Sequence, residues 1–540
     1  MSLAWHSLPA SVPVWAKADS VPSWLALRQG TLPVVIVAPH GGRRRRAVRR
    51  GDSVNDLYTA EIAWELARRL DAHAIVNHGL DRNDIDLNRI SHLADRAPDV
   101  LALLRSAVEH AAGDRPPLVL FVHGWNMVVP CCDVGVGLRL QLSDPRGRFP
   151  TLSRRAFEQF VVAMKRALSS RGISTGIGRR YSASGRDNAA QLFSGRHREH
   201  ESADVAALAE LALAGGVEAA QLELGIPLRW PGALRDALVD GCVEAVAQWH
   251  EAARRPSDCS SAAARAWCSE RSDADGTSEA EPGYALQAVL DGDGGVGLFC
   301  GVEPTSASTM AGRFCLVCTD GSMMLLVGEG DWSGRHGHYE LEGFQWRSST
   351  DGAAIRLQVH GPVIRYRSHD AYLDLESGLA DSELAHADVD LTFESVDAEA
   401  GHGRLRGRVS AAGMMLEVDT TAFVDRGGRR GSAAHPRMRV LAATESGTVR
   451  IESTAEEATL RFEKGDSSAP LGRIVIGPAC PVTQSTVFLA AVVTARVPVW
   501  RPAGGGAAAR WTFGMASLQT SHTQVPALFD SLEVFSLPGR

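Results

Sequence analysis

The feature that most constrains this chain is a change of hydrophobic period part-way along it. Up to about residue 255, continuous apolar runs alternate with runs spaced for a helix. "LPVVIVAPH" (32–40) reads as a buried central strand ending at a turn, and "SVNDLYTAEIAWELARRL" (53–70) follows with Leu57, Ile62, Leu66 and Leu70 at helical spacing. The alternation continues through "HAIVNHGL" as a strand, "DVLALLRSAVEHAAG" as a helix, "PLVLFVHGW" as a second buried strand and "SRRAFEQFVVAMKRALSSRG" as a helix. "QLELGI" is the next strand, and "GALRDALVDGCVEAVAQWHEAARR" is a long final helix. Such alternation predicts a layered α/β domain over 1–255 around a mostly parallel or mixed sheet. Residues 256–282, rich in Ser, Ala, Asp, Glu and Gly, read as a linker. From 283 to 540 the helical spacing is gone, and short β-type segments recur between Gly, Asp and Ser. That predicts a large all-β domain, a barrel or a sandwich, or two tandem β units.

A chain of 540 residues is too long for one ordinary core. With 45% hydrophobic and 22% charged residues it has the balance of a soluble globular protein. The net charge of −7 offers no field to gather nucleic acid or an anionic membrane. The nine cysteines are an odd, irregularly spaced set, unlike a secreted disulfide framework. Cys315 and Cys318 form a lone CxxC in an apolar run; on a strand they point to opposite faces, so they read as buried thiols. The N-terminal stretch lacks a basic region and a long apolar core, so no signal peptide is expected. The apolar stretch "STVFLAAVVTARVPVW" is broken by Arg496 and Pro498, so no membrane span is expected either. The expected location is cytoplasmic, with no nucleic-acid partner.

Chemistry-bearing residues gather in the first half. His40 ends a strand and is followed by Gly41 and Gly42, which would let the backbone turn and approach a ligand. His123 repeats the pattern, an apolar strand and then His-Gly. Each alone is as well read as a histidine in a turn, but two such strands can bring their imidazoles to one sheet edge. Asp56, at the start of the first helix, would complete a His₂–carboxylate set with a fourth position open for water. It is equally a capping residue, with Ser53 and Asp56 placed at a helix start, and Asp52 is a rival ligand. "DRNDIDLNR" supplies Arg82, Asn88 and Arg89, a donor fork with neutral donors beside it; in the plainer reading it is a charged surface loop in which Asp86 pairs with Arg89. Glu223, in "AQLELG", is a general base if it faces an apolar interior, or a solvent residue if Leu222 and Leu224 face the core. Six arginines between Arg43 and Arg50 would favour a polyanionic substrate if they lie beside the metal, or form a solvated basic loop. Asn188 is a further candidate for the cleft.

His40-Gly-Gly after a strand, Asp56-x-x-Thr59 opening a helix, Arg82 with "DIDLNR", the strand ending in His123 and "QLELG" before the last long helix together resemble the N-formylglutamate amidohydrolase family. That family is related in fold and site to zinc carboxypeptidases. The resemblance spans about residues 30–250 and none of the β-rich half. It implies a zinc-carboxypeptidase-like fold, Zn²⁺ on His40, Asp56 and His123, and a substrate carboxylate held by Arg89 with Asn88 and Arg82. It implies Glu223 as the proton-transfer group. The substrate would be a small carboxylate-bearing amide or peptide. The chain departs from the family in reading Phe121-Val122-His123-Gly124 where an Asp-x-His-Ser pattern is usual, in the basic loop after His40, and in "LGIPLRW" after Glu223. In the β-rich half His336, His338, His360 and His369 are scattered, and only the number of strands is similar to lipocalin-type barrels. The contrasting expectation is a binding protein whose β domain takes an apolar ligand or partner while the α/β domain is an inactive relic.

Overall fold

The computed structural model describes residues 12–17, 21–44, 52–113, 115–138, 149–178, 180–253, 283–290, 296–304, 309–318, 322–331, 337–349, 353–367, 375–397, 402–427, 437–444, 447–454, 458–463, 487–493, 507–519 and 524–536. Two compact units divide the chain: Met1–Asn126 with Pro130–Gly276, and Met127–Val129 with Thr277–Arg540. The stretch read as a linker, 256–282, lies outside the described residues, as do Arg45 to Arg50, His336, His369, Cys259, Cys268 and Cys480.

In the first unit the strands are β1 (Leu25–Arg28), β2 (Leu32–Ala38), β3 (Ala72–Asn77), β4 (Leu118–Gly124), β5 (Cys131–Gly135), β6 (Ser174–Ile177) and β7 (Glu218–Leu224). The helices are α1 (Thr59–Leu70), α2 (Ile90–Asp95), α3 (Pro98–Ala111), α4 (Arg154–Ala156), α5 (Val162–Ser169), α6 (Ala203–Leu213), α7 (Ile226–Arg229) and α8 (Ala233–Ala253); a π-helical stretch, Phe157–Val161, joins α4 to α5. The sheet runs β1-β3-β2-β4-β7-β5-β6. β3, β2, β4 and β7 are mutually parallel; β1 runs against β3 and β5 against β7, and β6 is parallel to β5, so the sheet is mixed. The apolar runs are continuous because both faces are covered. Val34, Ile36, Leu120 and Leu222 join a core with α1, α5 and α8. Val35, Val37, Val119, Phe121 and Ala219 join a second core with α3 and α6. The strand alternation thus splits one run between two layers.

This order places the site. From β2 the chain passes to β3 on one side, then crosses to β4 on the other. The carboxyl ends of β2 and β4 flank that reversal, where an open α/β sheet leaves a crevice for ligands.

Among the described residues the second unit is all antiparallel apart from one short helix. Its strands are β8 (Gly283–Val289), β9 (Val296–Pro304), β10 (Thr309–Cys318), β11 (Met323–Asp331), β12 (His338–Leu341), β13 (Phe344–Ser348), β14 (Ala354–Tyr366), β15 (Glu383–Asp397), β16 (His402–Ala411) and β17 (Met414–Gly427), with α9 (Leu375–Ala380) before β15. These ten strands form one sheet, and the β11–β14 pairing closes eight of them into a ring: β11-β10-β9-β8-β17-β16-β15-β14. Between barrel and sandwich, the closed barrel is what forms. β14 accomplishes the closure by pairing through Ile355–Val359 with β13 and through Ile364–Tyr366 with β11. Its core includes Phe314, Phe344, Trp346 and Phe393. A further antiparallel sheet of six strands, β18 (Arg437–Thr444), β19 (Gly447–Thr454), β20 (Ala458–Glu463), β21 (Val487–Val493), β22 (Ala507–Gln519) and β23 (Gln524–Ser536), runs β20-β19-β18-β23-β22-β21. Among the described residues no helix is long and apolar enough to cross a membrane.

Candidate metal centre

His40 lies two residues past β2, and its backbone carbonyl accepts the Asp56 N–H at 2.8 Å. Asn77, at the end of β3, braces this turn by donating to the carbonyls of Pro39 and Leu80. Gly42 packs against the Leu80 carbonyl, where a Cβ would lie only 1.8 Å from the oxygen. At Gly41 the space for a Cβ is taken by Ala60 and the Asn77 carbonyl, so neighbouring protein already requires both glycines after His40.

Asp56 is buried three residues before α1, and its side chain does not cap the helix. The helix instead starts from Tyr58, which has φ 67° and no side-chain cap. Asp56 Oδ2 accepts from the Gly124 N–H at 3.0 Å and lies 3.2 Å from both His40 Nδ1 and His123 Nδ1. The two imidazoles meet edge to face, 4.9 Å between centroids. All three residues are buried, and one ligand atom from each lies within 4.8 Å of the others. The rival carboxylate Asp52 stands apart from this cluster, 3.9 Å from Arg44 Nε.

Two imidazole nitrogens and one carboxylate are a donor set that can bind a metal ion. The 3.2 Å separations are long for charge-assisted hydrogen bonds. His123 Nε2 is buried and has no hydrogen-bond partner among the described residues.

Asp86 is the contributor that sequence reading placed elsewhere. Its Oδ1 accepts from His40 Nε2 at 2.6 Å, leaving Nδ1 to face the cluster. A carboxylate on the far ring nitrogen fixes tautomer and orientation in metal-binding histidines. The signal was present as Asp86-Leu87-Asn88-Arg89, but its partner, 46 residues away, is visible only in the fold. Arg82 Nη1 reaches Asp56 Oδ1 at 3.2 Å, and Nη2 lies 3.7 Å from Asp86 Oδ2. Arg82 is thus engaged with the acidic groups around the cluster. Arg89 has a side chain 59% exposed, with Nε 3.5 Å from Asp86 Oδ2. Asn88 is half-buried; its N–H donates to Asp86 Oδ1, and its side-chain oxygen is buried without a hydrogen-bond partner among the described residues.

Glu223 is buried in β7, in register with His123 on β4 and Asp133 on β5, so the three side chains share one face of the sheet. Leu222 and Leu224 enter the core under α8, while Glu223 points to the other, equally covered face. The solvent-facing alternative fails because the sheet has no wet face here. Gln221, two residues earlier, donates to Glu223 Oε1 at 2.6 Å and accepts from Asn188 Nδ2 at 3.0 Å. Asn188 therefore joins the site by holding the residue that orients Glu223. The Arg89–Asn188 bridge ties this chain of contacts to the loop bearing Asn88 and Arg89.

Electrostatics separate the two carboxylates. Burial pushes the Asp56 pKa up, but His40, His123 and Arg82 outweigh it and hold Asp56 well below the usual carboxylate range. Glu223 is raised to about 8, first by burial and then by the negative charge of Asp56. Burial holds His123 down at about 4, so it is neutral, as a ligand must be. Burial and Arg82 lower His40, and the carboxylates of Asp56 and Asp86 more than reverse this, so its pKa is raised.

No protein-family model matches this chain, and no curated protein matches it significantly.

Proposed function

We propose that the protein is a zinc-dependent hydrolase of the N-formylglutamate amidohydrolase type, with a zinc-carboxypeptidase-like α/β domain, cleaving a formyl, acyl or peptide-like amide near a free carboxylate. The observation that carries the reading is the buried His40–Asp56–His123 cluster with an inward Glu223 on the adjoining strand. Zinc bound there would lower the pKa of water to about 7 and polarise the scissile carbonyl.

His40, Asp56 and His123 hold the ion, and Asp86 fixes the ring of His40. Glu223, raised in pKa by its surroundings, takes a proton from water and returns it to the leaving amine. Gln221 holds the carboxylate that performs both transfers. Arg89, exposed and beside Asn88, receives the substrate carboxylate, while Arg82 lies between Asp56 and Asp86. The products are an amine and a carboxylic acid.

The test is metal analysis of the purified protein followed by a screen of formyl, acyl and γ-glutamyl amides. One zinc per chain, lost in His40→Ala and kept in Glu223→Gln, with turnover lowered about 10²- to 10⁴-fold in the latter, is the expected result. A folded protein that takes up no zinc would refute the reading and leave the binding-protein alternative standing.

A further inference from the structure

Arg229 is 0% exposed, yet the hydrogen bonds it makes among the described residues go to carbonyl and amide oxygens and to no carboxylate. A charge taken out of water without a counter-ion is expensive unless its donors are satisfied and it does something in return. The side chain ends α7, the short helix that follows the Glu223 strand. Nη1 donates to the Leu57 carbonyl at 3.0 Å, and Nη2 donates to the Trp125 carbonyl at 3.2 Å and to Asn126 Oδ1 at 3.0 Å. Nε is buried without a hydrogen-bond partner, and the guanidinium lies over the Trp230 ring, 5.5 Å from its centroid.

The acceptors are what make this arrangement informative. Leu57 follows Asp56 directly; Trp125 and Asn126 follow His123 by two and three residues. Gly124, between them, gives its N–H to Asp56 Oδ2 and also makes room for the guanidinium: a Cβ at Gly124 would lie 2.4 Å from Nη1. The fork therefore spans the two backbone segments that leave the carboxylate and the second imidazole of the cluster. The segments are 67 residues apart in sequence. The unbalanced charge has a destination too, since Asp56 and Glu223 are the carboxylates acting on it.

We propose that Arg229 is a positioning residue of the metal centre, clamping the segments after Asp56 and His123 so that their ligand atoms stay at binding distance. This rests on the cluster being a metal site, as proposed above. A planar fork can satisfy three oxygens in two directions at once, which a lysine ammonium cannot reproduce in the same place.

The experiment uses the full chain. Zinc affinity is measured by chelator competition, and ligand geometry by the visible absorption spectrum of the cobalt-loaded protein, for wild type, Arg229→Lys and Arg229→Met. Thermal unfolding without metal runs alongside. The expected result is zinc binding weakened about 10- to 100-fold in both variants, with a shifted cobalt spectrum, as for other supporting residues of metal ligands. A merely structural arginine would lower the unfolding temperature and leave both readouts of the folded variant unchanged, and that outcome overturns the proposal. If neither variant folds, Gly124→Ala keeps the charge and displaces the fork: weaker zinc binding supports the clamp, and wild-type affinity overturns it. A wild-type protein that binds no zinc instead removes the metal reading itself.

Discussion

Glu223 shows how one residue's role turns on its environment rather than its type. On an alternating strand it has the pattern of a solvent residue, and the closed second face makes it a buried acid with a pKa of about 8. In the proposed reaction it accepts a proton and works only when ionised, so kcat/KM should fall as pH falls through its pKa. A pH–rate profile checks this; an acid limb unchanged in Glu223→Gln would assign it to another group. His73 offers a separate test at this scale. It is 2% exposed in β3, accepts weakly from the Gly30 N–H through Nδ1, and packs against Trp15 and His110. Burial, then His110, holds its pKa at about 4. A base with a depressed folded pKa binds fewer protons folded than unfolded between about 4 and its ordinary 6.5, so stability is lost as pH falls through that window. The contribution is about 2 kcal/mol after allowance for solvent screening. Urea titrations at pH 7 and pH 4.5 should show a smaller difference for His73→Leu than for wild type.

At the scale of elements, the informative feature is the start of α1. The helix begins from Tyr58 without a side-chain cap, and Asp56, which the sequence offered with Ser53 as a capping residue, has its carboxylate on the cluster instead. Tyr58 takes up the turn with a left-handed backbone, held by its ring against Trp230, 5.0 Å away. Left-handed backbone costs a Cβ-bearing residue about 1 kcal/mol that glycine does not pay. Tyr58→Gly should therefore be more stable than Tyr58→Ala by about 1 kcal/mol, although glycine is ordinarily the poorer residue beside a helix. Denaturant melts of the two variants decide it, and an alanine variant as stable as the glycine one would show the backbone relaxes. β1, β5 and β6 escaped sequence reading because each has five residues or fewer and carries small or cysteine residues such as "CCDVG" and "STGI". β5 matters most among them, since it runs against β7 and puts Asp133 beside Glu223.

For the whole molecule, each unit has its own core, one wrapped around a mixed sheet and one within a closed barrel. Zinc, if it binds the folded first unit as proposed, would stabilise it by mass action, by about 2.7 kcal/mol at a free concentration 100 times Kd. Calorimetry with and without a chelator should move the transition of the first unit and leave that of the barrel in place. If both transitions move together, the two units unfold as one cooperative system. The same comparison on His40→Ala should show no response to chelator.

The sequence by itself determined the two-part organisation, the main strands and helices of the first half, the all-β character of the second, and the identity of the ligand candidates. These follow from hydrophobic period and residue chemistry, which are local and can be read along the chain. Only the tertiary structure decided that Asp56 rather than Asp52 meets the imidazoles, that Asp86 serves His40, that Arg82 serves the acidic groups, that Glu223 faces inward, and that the barrel closes. Each depends on which strands become neighbours and which faces become covered. Pairings such as Asp56 with His123 across 67 residues and Asp86 with His40 across 46 leave no periodic trace in the sequence that encodes them.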